Sequence, residues 1–384
     1  MPADVELLIV GGGCAGLSLA MQLAKRQQRA PRTLILEQRA HYGNDRTWCF
    51  WGDDTTPFAT LATHQWRTVS VRNGGRVAQL DCSQTPYRMV SSEQFYTAAV
   101  AALTDAPQLQ LQMATRLLSD AHCRGGHWHV ETSAGPLTAS MVVDTRPLVP
   151  AANRALLWQS FYGHEIECEQ PVFDPDCAVL MDFSSASPER VAFRYVLPTS
   201  RTRALVEFTV FAAQPVAAAA LAADLDAAIA QRVRGATFTR RRSEHGVLPM
   251  GLSASPAVAA PPEQAASYVR AGLFAGAARP ATGYAFQRIQ RWAADCAARL
   301  ADAGAAVGHP PDPCFSAWMD RLFLSVIERQ PQLAPQLFAD MFGRVESQRI
   351  IRFLSDRGRL ADHAAVALAL PFKPFLQQLF RSPS

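Results

Sequence analysis

The residues that could do chemistry fall in three places along the chain. The first is the turn Gly11-Gly12-Gly13-Cys14-Ala15-Gly16, with Glu37 placed 21 residues after Gly16. Glycine at 11 permits a tight turn, glycine at 13 lets backbone amides approach a pyrophosphate, and glycine at 16 allows close helix packing. A helix opening at Cys14 and Ala15 adds partial positive charge where phosphates would sit. Glu37 would accept hydrogen bonds from a ribose. A glycine loop alone is weak evidence, but a flanking strand, a helix and a spaced acid together point to a dinucleotide. Its position at the N-terminus of a longer chain favours FAD over NAD.

The second place is Gly272-Leu273-Phe274-Ala275-Gly276 followed by Ala277 to Tyr284. It reads as a strand, a small-residue loop through Gly276, Thr282 and Gly283, and a new helix start. A second helix N-terminus there suits the negative charge of a reduced flavin ring. The competing reading is a connecting loop that only packs.

The third place is Glu207, in the strand-like run Ala204 to Phe211, where Leu205, Glu207, Thr209 and Phe211 share one face by the period of two. A carboxyl among apolar neighbours should have a raised pKa and be able to stay protonated near neutrality, as a general acid must. The alternative is a structural ion pair with Arg194, Arg201 or Arg203.

Weaker candidates remain. His127 and His129 alternate on a strand, and no third metal ligand accompanies them, so a surface strand is the favoured reading and no metal is expected. The aromatics Trp48, Phe50, Trp51, Phe58 and Trp66 read as core, although the faces of Trp48 and Trp51 could also attract a cation.

The elements that must position these residues follow from periodicity. Val5 to Val10 is a buried strand, Ala15 to Arg26 a helix, and Thr33 to Glu37 a second strand, making a βαβ unit. Ser92 to Leu103 reads as a helix capped by Ser92. Met141 to Asp144 is a buried strand. Val191 to Pro198 and Ala204 to Phe211 form a hairpin, and Val216 to Arg234 is a helix. Ser267 to Phe274 is strand, Gly283 to Leu300 helix, and Phe315 to Arg381 several amphipathic helices.

Four blocks, in order, resemble the flavoprotein lycopene cyclase family. They are Arg46-Thr47-Trp48-Cys49-Phe50; Phe193-Arg194-Tyr195-Val196-Leu197-Pro198 with Leu205-Val206-Glu207-Phe208-Thr209; Gly246-Val247-Leu248-Pro249-Met250; and Arg279-Pro280-Ala281-Thr282-Gly283-Tyr284. The resemblance runs through Asp320-Arg321-Leu322-Phe323-Leu324. Two positions depart from the family pattern: Phe208 stands where an acid is usual, and Arg279 where a histidine is usual.

The resemblance implies an FAD-binding α/β fold of the flavoprotein hydroxylase kind, with an inserted β-rich substrate domain and a helical C-terminal region. Its segments would be 1–150 and 263–310 for FAD, 151–262 for substrate, and 311–384 for the closing helices. It implies lycopene β-cyclisation without net oxidation, using reduced FAD, with NAD(P)H as reductant. Glu207 would be the acid-base group. Gly11, Gly13, Cys14, Ala15, Gly16, Glu37, Arg46, Gly276, Thr282 and Gly283 would touch FAD, and Trp48, Trp51, Tyr195 and Phe208 would line the substrate pocket. The rival is a flavin monooxygenase or halogenase; such hydroxylases often carry Asp-Gly after the corresponding strand, whereas Asp144 is followed by Thr145.

Composition agrees with an enzyme of this size. The 384 residues are 49% hydrophobic, enough for a large core. A net charge of +4 is spread along the chain, and the longest basic run is Arg240-Arg241-Arg242, so nucleic acid is not an expected partner. Eight scattered cysteines without C-x-x-C spacing, and no signal-like leader, suggest free thiols in the cytoplasm. No apolar stretch is long enough to span a membrane. The amphipathic helices near Val366 to Leu376, with the scattered arginines, suit peripheral membrane docking.

Overall fold

The computed structural model describes residues 3–147, 155–184, 188–252 and 267–380. The expected boundaries near 151 and 262, and Arg381 at the end of the expected helical tail, lie outside the described residues.

One sheet carries the glycine turn. Strands Leu109–Gln112, Thr33–Leu36, Val5–Val10 and Gly135–Asp144 lie side by side in parallel, and Tyr268–Arg270 extends them beside Gly135–Asp144. His127–Thr132 and His122–Arg124 complete it in antiparallel fashion. Leu7, Leu8 and Ile9 are buried, as parallel strands covered on both faces require. The helix Cys14–Ala24 connects the first two parallel strands and shares a core with Ser92–Thr104 and Phe286–Ala303.

The second sheet runs in the order Phe238–Met250, Leu157–Cys168, Arg203–Ala212, Val191–Pro198, Cys177–Asp182, Thr68–Asn73, Arg76–Asp81. It therefore draws strands from both sides of residue 151. The strand Arg203–Ala212 is buried on both faces. Val206, Phe208 and Val210 face the helix Ala218–Val233, while Leu205 and Phe211 join the opposite core with the helices Cys314–Arg329 and Ala334–Arg344. A three-stranded sheet, Thr47–Trp51, Tyr87–Ser91 and His64–Trp66, brings Thr47 against Glu244 of the second sheet.

Three local expectations are corrected. The cap of the helix Ser92–Thr104 is Ser91, whose hydroxyl accepts from the Gln94 amide at 3.3 Å. Ser92 is buried and instead fixes the neighbouring loop, accepting from the Arg46 amide and donating to the Gly43 carbonyl. The strand expected over 267–274 spans only Tyr268–Arg270, because Gly272 at φ +93° turns the chain into a short 3-10 segment, Leu273–Ala275. The helix expected from Gly283 begins at Phe286, after the loop has used Gly283 at φ +69° to accept a turn closed by its own amide on the Arg279 carbonyl.

Candidate active site

The glycine turn is built by contact. Gly11 sits at φ +103°, and a Cβ there would meet the Thr145 hydroxyl oxygen at 2.7 Å. A Cβ on Gly16 would stand 2.0 Å from the Gly11 carbonyl oxygen, so the helix comes this close to the turn only because residue 16 is glycine. Gly13 differs from these two: it caps the helix, and a Cβ on it would meet nothing within 4 Å. The first intrahelical bond here joins the Leu17 amide to the Gly13 carbonyl, so the amides of 14–16 precede the first helical acceptor and are left for another partner. A cradle of this kind suits a pyrophosphate.

Glu37, at the end of the second parallel strand, is held by Arg39. The Arg39 amide and Nε donate to its Oε1 at 2.9 and 3.0 Å, and NH2 donates to Oε2 at 3.0 Å. Arg39 NH1 also donates to the Tyr96 hydroxyl at 3.1 Å.

From this turn a cavity of about 1010 Å³ runs to the second sheet. It is at the upper end of ordinary small-molecule sites. Gly11, Gly13, Cys14, Ala15, Glu37, Arg46, Thr282 and Gly283 line one part of it, and Tyr195, Glu207 and Glu244 another. Phe161, Phe193, Phe211, Phe338, Met341 and Phe342 line it as well.

Glu207 occupies a row across four strands. Gly163 pairs with Glu207 on one side and Glu244 on the other, and Tyr195 pairs with Glu207 from the far side. A Cβ on residue 163 would lie 2.6 Å from the Glu207 Cγ, so the missing side chain is what lets Glu207 lie across that strand and hydrogen-bond Glu244. Burial, and then the charge of Glu244, push the Glu207 carboxyl well above the usual carboxylate range; Arg242 opposes this more weakly. The ion pairs weighed from the sequence do not form: Arg194 pairs with Asp182, Arg203 with Glu165, and Arg201 is not among the groups acting on Glu207.

Glu244 is the site residue that sequence reasoning missed. The Thr47 hydroxyl donates to its Oε2 at 2.7 Å, Arg242 NH1 donates to the same oxygen, and Arg242 NH2 donates to the Thr47 oxygen at 2.7 Å. Around the acid, the Tyr87 and Tyr195 hydroxyls are 2.9 Å apart, and Tyr195 also bonds the Cys49 thiol, which burial pushes up to about 12.

The remaining expected site residues divide. Trp48 lines the cavity but packs on Phe95, Tyr96 and Phe286, in the core behind the glycine turn. Trp51 is 4% exposed, packs against Tyr87 and Tyr284, and is not among the lining residues. Phe208 corrects the sequence reading: adjacent to Glu207, it must face the other way, and it lies against the helix Ala218–Val233 with Arg190 over its ring. Gly16 and Gly276 shape the backbone beside the cavity without lining it; Gly276 takes φ +102°.

Arg279, the second departure from the family pattern, also lies away from the cavity. It is buried, donates to both oxygens of Asp320 at 3.0 and 3.2 Å, donates to the Phe353 carbonyl, and sits 4.4 Å from the Phe353 ring centroid. It ties the loop before Thr282 to the C-terminal helices. Neither departure therefore alters the cavity wall.

The lycopene cyclase protein family model matches residues 6–380. A lycopene beta-cyclase of Paracoccus sp. is 28% identical over 317 residues, covering 80% of this chain and 74% of that protein. A lycopene beta cyclase of Synechococcus elongatus is 28% identical over 314 residues, covering 77% and 72%. Among solved structures, a geranylgeranyl bacteriochlorophyll reductase-like protein of Thermoplasma acidophilum superposes with a TM-score of 0.61 at 14% identity, covering 97% of this chain and 99% of that one. A flavin-dependent brominase gives 0.61 at 12% identity, covering 95% and 97%. These likenesses assign the fold, the mixed α/β architecture of the flavin-dependent reductases, monooxygenases and halogenases, here closed by C-terminal helices. By the match along nearly its whole length, the chain belongs to the lycopene cyclase family.

Proposed function

We propose that this protein is a lycopene β-cyclase, in which Glu207 protonates the polyene and no net oxidation occurs. The observation that carries the reading is a buried carboxyl with a raised pKa, set in the wall of an apolar cavity that is continuous with the glycine turn. The Glu207 carboxyl gives its proton to C2 of a terminal double bond; the C5–C6 alkene attacks the cation at C1; a proton leaves C6. One proton enters, one leaves, and the product is an isomer.

The glycine turn is suited to FAD. Cys14, Ala15 and Gly16 would offer amides to the pyrophosphate, Gly11 and Gly13 would keep the approach clear, and Glu37 would take the ribose. Arg46, Gly276, Thr282 and Gly283 would stand along the rest of the cofactor. Bound and reduced, with NAD(P)H as reductant, FAD would supply negative charge near the developing cation. The aromatic and methionine wall would take the polyene and exclude water, Tyr195 lying beside the acid and Trp48 on the cofactor side.

The same reading organises the chain as an FAD domain from 1–150 and 263–310, a substrate domain from 151–262 and helices over 311–384, with the strands Thr68–Asn73 and Arg76–Asp81 lent to the substrate sheet. It places the protein at a membrane surface, where lycopene resides. The support is an apolar face on two consecutive helices, Leu360–Ala369 and Phe372–Leu379, with Leu360, Leu368, Phe372 and Phe380 between 75% and 85% exposed. Arg357, Arg359 and Lys373 are exposed beside it, while Asp362 is buried and paired with Arg352. Among the described residues no helix is long and apolar enough to cross a membrane.

Incubation with lycopene, liposomes and pre-reduced FAD, without oxygen, tests the reaction. Cyclised product of unchanged mass is expected. A strict need for oxygen, with a gain of one oxygen atom, would instead support a monooxygenase.

A further inference from the structure

We propose that Glu207 and Glu244 form a dyad sharing one proton, with Glu244 a positioning residue that keeps this proton on Glu207.

The geometry is a charge count in a confined space. Three carboxyls, Glu165, Glu207 and Glu244, meet two guanidiniums, Arg203 and Arg242. Arg203 serves Glu165, and Arg242 is divided between Glu165, at 2.6 Å, and Glu244. Glu165 and Glu244 thus use both cations, and Glu207 has only the more distant field of Arg242. Two ionised carboxyls in contact, with one shared cation, are strongly unfavourable; the third group keeps a proton. Which group keeps it is fixed by the anchors: the Thr47 hydroxyl and Arg242 both donate to Glu244, and among the described residues no such anchor donates to Glu207.

Among the described residues, the other elements facing the pair add no positive charge. Tyr195 comes from the neighbouring strand, Cys49 and Thr47 from the strand Thr47–Trp51, Tyr87 from Tyr87–Ser91 and Tyr284 from the loop before the helix Phe286–Ala303. Gly163 supplies the opening through which the two carboxyls meet. During the reaction the dyad goes from one negative charge to two as the substrate becomes a cation, and returns to one when the C6 proton comes back to it. That role as donor rests on the cyclase reading; the shared proton does not.

The test is infrared titration of the intact, FAD-loaded protein, together with the pH profile of kcat/KM. The wild type should show the carbonyl stretch of a protonated carboxyl at neutral pH, and Glu207→Gln should lack it. Glu244→Gln should move the titration of that band, and the alkaline limb of kcat/KM, to lower pH by at least about one unit. Glu244→Asp keeps the charge and should leave both near their wild-type positions, which separates charge from packing. A wild type without the band at neutral pH would overturn the dyad. So would a Glu244→Gln protein that titrates like the wild type, even if its activity fell equally at every pH. If the bands behave as expected but no cyclised product forms, the dyad stands and the cyclase reading fails.

Discussion

Gly163 and Glu207 face each other on adjacent antiparallel strands, and the Glu207 side chain fills the space that a Cβ on residue 163 would need, 2.6 Å from its Cγ. The site's acid is therefore aimed by an absence. The neighbouring backbone is locked in register on both sides of Gly163, so a methyl group there displaces Glu207 rather than the strand. Gly163→Ala should keep flavin content and melting temperature close to wild type while lowering kcat on the order of 10²-fold, the usual result of a misplaced catalytic group. Flavin absorbance and steady-state turnover on lycopene check this; unchanged kcat would show that the position of Glu207 is unimportant.

Glu207→Gln should bind FAD normally and lose turnover by roughly 10² to 10⁴-fold, the range of general acid catalysis. Its stability should also respond to pH. The native carboxyl titrates above its unfolded value, so the stability linked to it is fully present below the unfolded-state value and is lost as pH rises through the raised native one. As pH rises from the ordinary carboxylate value through the raised native one, stability to urea should fall less steeply for Glu207→Gln than for the wild type.

At the glycine turn, Gly11→Ala forces a side chain into a left-handed φ and against the Thr145 hydroxyl. The conformational cost alone is about 1–2 kcal/mol. The purified protein should be depleted of FAD, as read from its flavin absorbance. Full flavin occupancy would remove this turn from the cofactor site.

Arg279→Ala would leave Asp320 buried without its two-point partner. Breaking such a pair costs about 3–5 kcal/mol. Chemical denaturation should show a loss of this size. Residual soluble protein should still convert lycopene, because the pair lies outside the cavity.

For the membrane face, Leu368→Asp, Phe372→Asp and Phe380→Asp combined should abolish sedimentation with anionic liposomes and leave the melting temperature within a few degrees of wild type. Retained sedimentation would assign membrane contact to another surface.

Much of this was legible in the sequence, for definable reasons. The βαβ unit and the hairpin carrying Glu207 announce themselves through local periodicity and glycine spacing. What escaped was settled by strand pairing. Glu244 follows Arg240-Arg241-Arg242 and looks like part of a solvated charge run, yet it becomes buried because Phe238–Met250 pairs with Leu157–Cys168 at Gly163. Alternation from Glu244 to the apolar Gly246-Val247-Leu248 block was the available signal. Phe208 was misplaced by weighing its motif above the period of two. Ser91 and Ser92 are both plausible caps, and only the buried position of Ser92 against the Arg46 loop separates them.

The most direct test of acid-base cyclisation is an anaerobic turnover in D₂O with pre-reduced FAD, followed by mass spectrometry of the carotenoid. The account predicts a cyclic product carrying one deuterium for each ring formed, placed at C2, and no such product from Glu207→Gln. A cyclic product without deuterium at C2, or one that gains oxygen, would contradict it.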